Sequence, residues 1–299
     1  MRVGERTRIV FLIRSLNRGG AERLPASLAA GLDPSEFHVT VVTFYPGGAI
    51  WDELEVVRHV DLVSLDKKGR WDNLATLRRL QALLVERAPA ILHCYMAEPS
   101  IAGTIAGGRA SVPAIVWGIR SSNVDYFKYG WFNWATFRIA TLMSHRPSLV
   151  IANSEAGRQH HVGLGYPADR VVTIPNGVDT DRFHAGREAR AVARTRWRMH
   201  DDDFVVGAVA RLDPMKGHEV LLKAAASARP RVANLKVVCV GGGAATYARR
   251  LAAEGTRLGL DDILLWAGEI DRTESVYPAF DVTCEVLGEA ETLVVGRRR

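Results

Sequence analysis

The chain has 299 residues, of which 47% are hydrophobic and 24% charged, with a net charge of +6 and a pI near 9.4. This length suits two domains, and the composition is that of an ordinary soluble protein with sizeable cores. Three widely separated cysteines exclude a disulfide framework or zinc pattern, which favours a reducing cytosol. No uncharged apolar stretch is long enough for a membrane span. The basic balance suits anionic partners such as nucleotides, nucleic acid or an acidic membrane surface.

The first half of the chain alternates short apolar runs with longer helical stretches. The runs that predict strands are 8–13, 38–44, 60–65, 90–95, 112–119 and 147–153. The stretches that predict helices are 21–32, 71–87 and 154–165. Apolar residues recur at helical spacing in the second of these, and Ser154 is a good N-cap for the third.

A domain boundary is predicted near residue 176, where Pro175 precedes the turn-forming pair Asn176-Gly177. Beyond it the alternation resumes, with predicted strands at 203–210, 235–243, 262–268 and 281–287 and predicted helices at 217–228 and 246–260. Uninterrupted apolar strands separated by helices indicate parallel sheets covered on both faces. We therefore predict an α/β protein with two Rossmann-like, doubly wound domains, residues 1–176 and 177–299, that face a cleft.

The turn after the predicted strand at 203–210 contains Arg211, Lys216 and Gly217. In open parallel sheets, ligands bind where strands end and helices begin. Cations at a helix N-terminus oppose the helix dipole, so they are poor structural choices there. An arginine fork and a lysine charge would, however, stabilise the negative charge that develops on a departing diphosphate. The structural alternative is a solvated turn with two ordinary surface cations.

Two glycine turns also follow predicted strands. Gly19 and Gly20 come after the first strand, and Gly241, Gly242 and Gly243 follow the apolar residues of the run 235–243 and end it. Glycines let a backbone approach a ligand closely, and the amides at the start of the next helix favour anions. The first turn is not the dinucleotide fingerprint G-x-G-x-x-G. Its alternative is a plain glycine turn.

Five segments carry a resemblance to a known family. They are GGAER (19–23), IPNGVDTDRF (174–183), ARLDPMKGHEVLLKA (210–224), VCVGGG (238–243) and LGLDDILLWAGEIDRTESVYPAFDV (258–282). Together they resemble the glycosyltransferase family 4 enzymes, which are retaining, nucleotide-sugar-dependent transferases of the GT-B architecture. The resemblance covers nearly the whole chain and is most specific from Ile174 to Lys216.

The resemblance implies a reaction. A hexosyl group would pass from a UDP- or GDP-sugar to a lipid-linked or saccharide acceptor in cell-surface glycan synthesis. The acceptor would bind the first domain and the donor mainly the second. The protein would work in the cytoplasm, with peripheral contact at the inner face of the membrane as an option.

The resemblance also implies roles for individual residues. Arg211 and Lys216 match the family's diphosphate-binding pair, and Gly19 and Gly20 match its glycine loop near the donor phosphate and the acceptor. Glu289 matches the first glutamate of the E-x7-E element, which contacts the transferred sugar. The remaining residues assigned to donor binding are Arg120, Asn176, Gly241, Gly242 and Gly243. No metal or other cofactor is expected.

The sequence departs from the family pattern at two positions. The second glutamate of E-x7-E, which grips the ribose, is replaced by Arg297. A histidine that many members carry at the end of a strand is replaced by Arg120, within an Arg-Ser-x-Asn turn that some branches share. We expect a C-terminal truncation that leaves the strand at 281–287 as an open sheet edge, with a weakly stable second domain and low or absent turnover. The alternative function is therefore a non-catalytic remnant that binds nucleotide sugar weakly or not at all.

Three other features favour structural interpretations. The stretch 131–143, WFNWATFRIATLM, is predicted to pack against a sheet rather than to lie on a membrane surface. His93 and His218 are interpreted as satisfied structural histidines or surface histidines rather than as ligands. Basic residues are scattered and no platform of stacking aromatic residues is visible, so nucleic-acid binding has little support.

Overall fold

The computed structural model describes residues 6–120, 130–183, 186–286 and 293–297, with residues 285, 286 and 293–297 described as backbone only. The chain forms two compact units, unit 1 (Met1–Asn176) and unit 2 (Gly177–Arg299).

Unit 1 contains a sheet of seven parallel strands. They are β1 (Thr7–Ile13), β2 (Phe37–Thr43), β3 (Val60–Ser64), β4 (Ile91–Tyr95), β5 (Ala114–Ile119), β6 (Leu149–Ala152) and β7 (Val171–Thr173). Their order in the sheet is β3-β2-β1-β4-β5-β6-β7, which is the doubly wound order. The direction of winding reverses between β1 and β4, so the carboxyl ends of these two strands border the edge of the sheet where such folds bind ligands.

Helices cover both faces of this sheet. They are α1 (Gly20–Gly31), α2 (Ala49–Glu55), α3 (Asn73–Arg87), α4 (Ala97–Arg109), α5 (Trp131–Met143) and α6 (Glu155–Gly163). Strand β1 shows why helices are needed on both faces of the sheet. Val10 and Leu12 belong to one buried apolar cluster, whereas Phe11 and Ile13 belong to a second. Since neighbouring strand residues point to opposite faces, a strand that is apolar throughout must be covered on both sides.

The helix predicted from Ser154 is confirmed. The Ser154 side chain accepts a hydrogen bond from the Gly157 amide at 3.1 Å, and α6 begins at the next residue. The packing predicted for 131–143 is confirmed for one face only: Phe137, Ala140 and Thr141 of α5 are buried, and most of its other apolar residues are not. Among the described residues, no helix combines the length and apolar character that crossing a bilayer requires.

Unit 2 contains a smaller sheet built on the same plan. Its strands are β8 (Phe204–Val209), β9 (Leu235–Val240), β10 (Leu264–Gly268), β11 (Val282–Val286) and β12 (Leu293–Arg297), in the order β10-β9-β8-β11-β12. The first four are parallel, and its helices are α7 (Arg187–Thr195), α8 (His218–Ala228) and α9 (Ala245–Arg257). Here the winding reverses between β8 and β11.

The expectation of an open sheet edge after residue 281 is wrong. Strand β11 pairs with β8 on one side and with antiparallel β12 on the other, in a register that places Val282 opposite Arg297 and Val286 opposite Leu293. The segment that the sequence analysis left without a structural role therefore supplies hydrogen-bond partners to β11 and protects it from foreign strands.

A buried arginine ties the start of unit 2 to its last parallel strand. Arg194 of α7 is 1% exposed and donates to the carbonyls of Ala279 (3.2 Å) and Asp203 (3.0 Å) and to Oδ2 of Asp281 (2.8 Å). The same Asp281 oxygen accepts from the amide of Val205 in β8 at 2.8 Å. A buried charge is tolerated only when it is fully paired, so this network holds α7, β8 and the start of β11 in one arrangement.

We expect Arg194→Leu to lower the free energy of unfolding by about 3 kcal/mol or more, because it leaves buried carbonyl groups without donors. Chemical denaturation followed by circular dichroism measures the change. Arg196→Leu, at an exposed position after the same helix, is the matched control and should change stability little. Equal stability of the two variants would contradict the role given to Arg194.

Candidate functional site

The turn between β8 and α8 is held in shape by Asp213. Its Oδ1 accepts from the amide of Met215 at 3.0 Å, which caps a short 3₁₀ turn over Pro214–Lys216. Its Oδ2 accepts from the Arg211 guanidinium at 3.1 Å. Gly217 then adopts a left-handed conformation with φ of 56°, after which α8 begins at His218. One carboxylate thus sets both the path of the turn and the direction of Arg211.

Both cations of this turn reach solvent. The Arg211 side chain is 67% exposed despite its contact with Asp213, and Lys216 is exposed as well. They flank the N-terminus of α8, whose dipole adds positive potential at the same place. An anion that binds there would meet two fixed positive charges and the first amides of a helix.

The glycine turn after β9 lies directly beside the cationic turn. The Leu212 amide donates to the Gly242 carbonyl at 2.8 Å, and Leu212 forms an isolated parallel bridge with Gly243. A Cβ on Gly241 would lie 2.0 Å from the Ala210 carbonyl oxygen, and a Cβ on Gly243 would lie 2.2 Å from that of Leu212. The structure therefore brings together the residues that the sequence predicted here, Arg211, Lys216 and Gly241–Gly243, and shows that the glycines are needed for contact between the two loops.

His218 lies beneath this turn, 1% exposed, with its ring 6.5 Å from that of Trp266. Burial is the main cause that lowers its pKa, so the imidazole is biased toward the neutral form. The sequence analysis expected a histidine with satisfied hydrogen bonds. Instead, neither ring nitrogen has a hydrogen-bond partner in the part of the chain that the structure describes.

In unit 1, Gly19 and Gly20 lie at the end of the loop that connects β1 to α1. Gly19 is the N-cap residue and α1 begins at Gly20. The loop before them is braced by the next strand–helix loop, because the amides of Phe44 and Ile50 donate to the carbonyls of Arg14 and Leu16 at 3.0 Å. The glycines are therefore placed at the carboxyl end of the central strand, as the sequence predicted.

Arg120 and Asn176 are also brought together. Arg120 follows β5 directly and donates from Nη2 to Oδ1 of Asn176 at 2.7 Å. The other side of Arg120 is close to Tyr95 and His93 at the end of β4, and partial burial lowers the pKa of its guanidinium. This contact joins two strand ends that lie 56 residues apart in the sequence.

His93 is held neutral beside Arg120. Burial first and the positive charge of Arg120 second lower its pKa to about 4. Its Nδ1 lies 3.2 Å from the Tyr95 hydroxyl, whereas its Nε2 is buried without a partner among the described residues. As with His218, the expectation of a satisfied histidine is not met, because a buried ring nitrogen lacks a partner among the described residues.

The sequence analysis missed a charged cluster at the same edge of unit 1. Lys67, whose side chain is 2% exposed, binds the carboxylate of Glu98 in the first turn of α4 and lies 5.3 Å from the centre of the Phe44 ring. Arg14 approaches the same carboxylate at 3.6 Å. The lysine and glutamate lie 31 residues apart, so only an expectation that β3 and β4 end at the same edge would have suggested the pair.

One predicted site residue, Glu289, lies outside the described residues. Position 297, where the family pattern has its second glutamate, is the last residue of β12. Within residues 6–120, 130–183 and 186–284, no three His, Cys, Asp or Glu side chains lie close enough together to hold a metal ion.

These features define a class of protein: an α/β chain of two units, each a doubly wound sheet that presents glycine turns and cations at its strand ends. The comparison with known proteins identifies the family. The model for Glycosyltransferase Family 4 matches residues 18–182, and that for Glycosyl transferases group 1 matches residues 190–285. The chain belongs to glycosyltransferase family 4, and its fold is of the GT-B type.

Three similar proteins illustrate the relationship. EpsF of Bacillus subtilis, which carries a provisional glycosyltransferase name, is 26% identical over 284 residues, covering 92% of this chain and 72% of EpsF. A GDP-mannose-dependent α-(1-6)-phosphatidylinositol monomannoside mannosyltransferase of Mycobacterium tuberculosis is 34% identical over 127 residues, covering 41% of this chain and 32% of its own length. Alr3699/HepE of Anabaena, crystallised with UDP and glucose, superimposes with a TM-score of 0.77 at 25% identity, covering 93% of this chain and 73% of that protein.

We expect Gly243→Ala to destabilise unit 2 by about 1–3 kcal/mol, the usual cost of forcing an extra carbon into a packed site. The reason is that the new Cβ would overlap the Leu212 carbonyl and separate the two loops. Hydrogen–deuterium exchange in peptides from β8 and β9 should rise. Gly186→Ala, where a Cβ meets nothing within 4 Å, is the control. Unchanged exchange in Gly243→Ala would contradict the close contact.

The pKa of His93 predicts acid lability. Because this pKa is lowered to about 4 from 6.5, the unfolded chain takes up a proton first as the pH falls. The contribution to stability is complete above pH 6.5 and declines by about 3 kcal/mol as the pH falls to 4. His93→Gln should lack this component of the pH dependence of unfolding, whereas His145→Gln, at an exposed position, should keep it. Parallel profiles for the protein and His93→Gln would refute the prediction.

Proposed function

We propose that the chain transfers a hexosyl group, with retention of configuration, from a UDP- or GDP-sugar to a lipid-linked or saccharide acceptor in cell-surface glycan synthesis. The observation that carries the proposal is the turn of unit 2, where Arg211 and Lys216 stand exposed at the N-terminus of α8. The proposal that the sugar keeps its anomeric configuration rests on the family to which the chain belongs.

The turn suits a pyrophosphate in both charge and shape. Arg211, directed by Asp213, offers a planar fork of donors, and Lys216 offers a second positive charge. The neighbouring turn of Gly241, Gly242 and Gly243 has no side chains that would keep a ligand from the backbone.

The same groups support a chemical role. When the bond between sugar and diphosphate breaks, negative charge grows on the departing oxygen. Fixed cations and helix amides bind the product-like charge more strongly than the ground state, which lowers the barrier. Since Asp213 already orders Arg211, little reorganisation is needed when the charge appears. We infer that Arg211 and Lys216 perform this role without a metal ion.

The relatives support two donor classes. HepE was crystallised with UDP and glucose and also with UDP-glucose, and the mycobacterial enzyme is named for GDP-mannose. We therefore propose a nucleotide diphosphate hexose, with UDP and GDP as the two nucleotides to test. The assignment of Arg120, Asn176, Gly19 and Gly20 to donor binding belongs to the same proposal.

Unit 1 is the proposed acceptor-binding unit. Apart from Arg120 and Asn176, which are assigned to the donor, its strand ends present the neutral His93 and the buried pair Lys67–Glu98. Such a mixture of fixed polar groups suits an acceptor with hydroxyl groups. We place the reaction in the cytoplasm, at or near the inner face of the membrane; the free cysteines Cys94, Cys239 and Cys284 fit a reducing compartment.

A specific observation favours a second candidate. Arg297 occupies the position where a glutamate would grip the ribose, and it ends β12 opposite Val282. In this candidate the chain binds nucleotide sugar weakly or not at all and transfers nothing.

Calorimetry with UDP- and GDP-sugars, followed by transfer assays with radiolabelled donors, tests the proposal. Binding with transfer supports the enzyme. Binding without transfer to lipid-linked or saccharide acceptors, or no heat at millimolar donor, supports the second candidate.

We expect Lys216→Ala to weaken binding of the donor that calorimetry identifies by about 10- to 100-fold, since a hydrogen bond to a charged group contributes about 1.5–3 kcal/mol. Lys223→Ala, which removes an exposed lysine on α8 itself, is the control and should leave the affinity unchanged. If the two variants bind the donor equally, the assignment of the turn fails.

A further inference from the structure

Helix α5 carries an exposed face that is rich in large apolar side chains. Trp131 is 69% exposed, Trp134 43%, Ile139 47% and Leu142 76%. Trp131, Trp134 and Leu142 lie three, eight or eleven residues apart and share one side of the helix. Scattered exposed apolar residues need no explanation, but two tryptophans and a leucine exposed on one side of a helix form a candidate interaction surface.

The charges on and after this helix have a single sign. Between residue 130 and residue 154 the sequence contains Arg138 and Arg146 and no acidic residue. Arg138 is exposed midway along the helix, on the same side as the tryptophans, and Arg146 is exposed just beyond its end. A mixed salt-bridged surface, typical of a helix that faces only water, is therefore missing from this part of the chain.

A second helix start joins the patch through an arginine. The Arg70 guanidinium lies 4.9 Å from the centre of the Phe132 ring and 5.9 Å from that of Trp71, which is 74% exposed. Leu74, the second residue of α3, is 61% exposed. The acidic residue between them, Asp72, is turned inward: it accepts from the Lys68 amide at 2.9 Å and from Arg79 at 2.7 Å.

The patch includes the starts of α3 and α5 and extends along α5 to its end. We name it the tryptophan face and define it by Trp71, Leu74, Trp131, Trp134 and Leu142, with Arg70, Arg138 and Arg146 as its basic residues. Because α3 and α5 both begin at the carboxyl-end edge of the unit 1 sheet, the tryptophan face adjoins the edge where Gly19 and Arg120 lie.

We propose that the tryptophan face docks unit 1 on the surface of a bilayer that contains anionic phospholipids. Tryptophan rings favour the interface between headgroups and acyl chains, and an amphipathic helix with apolar and basic side chains lies in that plane. Each arginine near an anionic surface adds about 1 kcal/mol of attraction. The absence of exposed carboxylates in residues 130–154 removes the charge repulsion that such a surface would otherwise exert.

This inference deepens the proposed function, because it would bring the acceptor edge of unit 1 to a membrane where a lipid-linked acceptor resides. Its test does not depend on sugar transfer, since vesicle binding is measured without donor or acceptor. A chain that transfers no sugar could still bind vesicles, and a chain that binds no vesicles could still transfer sugar, so the two proposals fail independently.

Vesicle flotation tests the proposal on the full chain. We expect it to float with vesicles of phosphatidylcholine and phosphatidylglycerol at low salt, to bind several-fold more weakly to phosphatidylcholine alone, and to be released as salt rises. The variant Trp131→Ala/Trp134→Ala should bind about 10-fold more weakly or worse, because it removes apolar area from the interface. Arg138→Glu/Arg146→Glu should lose a comparable amount on anionic vesicles only.

Matched controls lie elsewhere on unit 1. Leu28→Ala/Val56→Ala removes exposed apolar groups and Arg109→Glu reverses an exposed charge, and both should float like the unchanged chain. Circular dichroism melts check that all variants are folded. No flotation with anionic vesicles, equal flotation of the tryptophan variant and its control, or a dimer in solution that only the tryptophan variant disrupts would overturn the proposal.

Discussion

The hydrogen bond from the Leu212 amide to the Gly242 carbonyl joins the two loops on which the candidate site of unit 2 depends. It holds the cationic turn after β8 against the glycine turn after β9, so that Arg211 and Gly241–Gly243 share one edge of the sheet. The contact is possible because glycines leave no side chains between the loops. Asp213 stabilises the conformation of the cationic turn by accepting a hydrogen bond from the Met215 amide. Charge and access to the backbone are thus provided at one place.

The two units share one architecture, but different residues lie at the carboxyl ends of their parallel strands. In both, parallel strands that are apolar on both faces force helices to cover the sheet, and the carboxyl ends of the parallel strands lie at one edge. Unit 2 places cations and glycines there, as suits a compact anion. At the same edge, unit 1 has the positively charged Arg120, the neutral His93 and the ion pair Lys67–Glu98. This difference supports separate binding tasks for the two units.

Local patterns predicted strands β1–β6 and β8–β11, the cap at Ser154 and the cationic turn, because each depends on residues within one turn or one strand; the short strand β7 was missed. Contacts between distant segments were missed. Arg194 meets Asp281 87 residues away, and β12 pairs with β11 although no local pattern indicated a strand at 293–297. The orphaned nitrogens of His93 and His218 were also beyond prediction, since hydrogen-bond satisfaction depends on which groups the fold places around a ring.

A crystal structure of the chain soaked with UDP-glucose or GDP-mannose tests the central claim most directly. The account predicts that the pyrophosphate oxygens lie within hydrogen-bond distance of the Arg211 guanidinium and the Lys216 ammonium, with the N-terminus of α8 behind them. A bound nucleotide sugar whose pyrophosphate lies elsewhere, with both side chains directed away from it, would contradict the account.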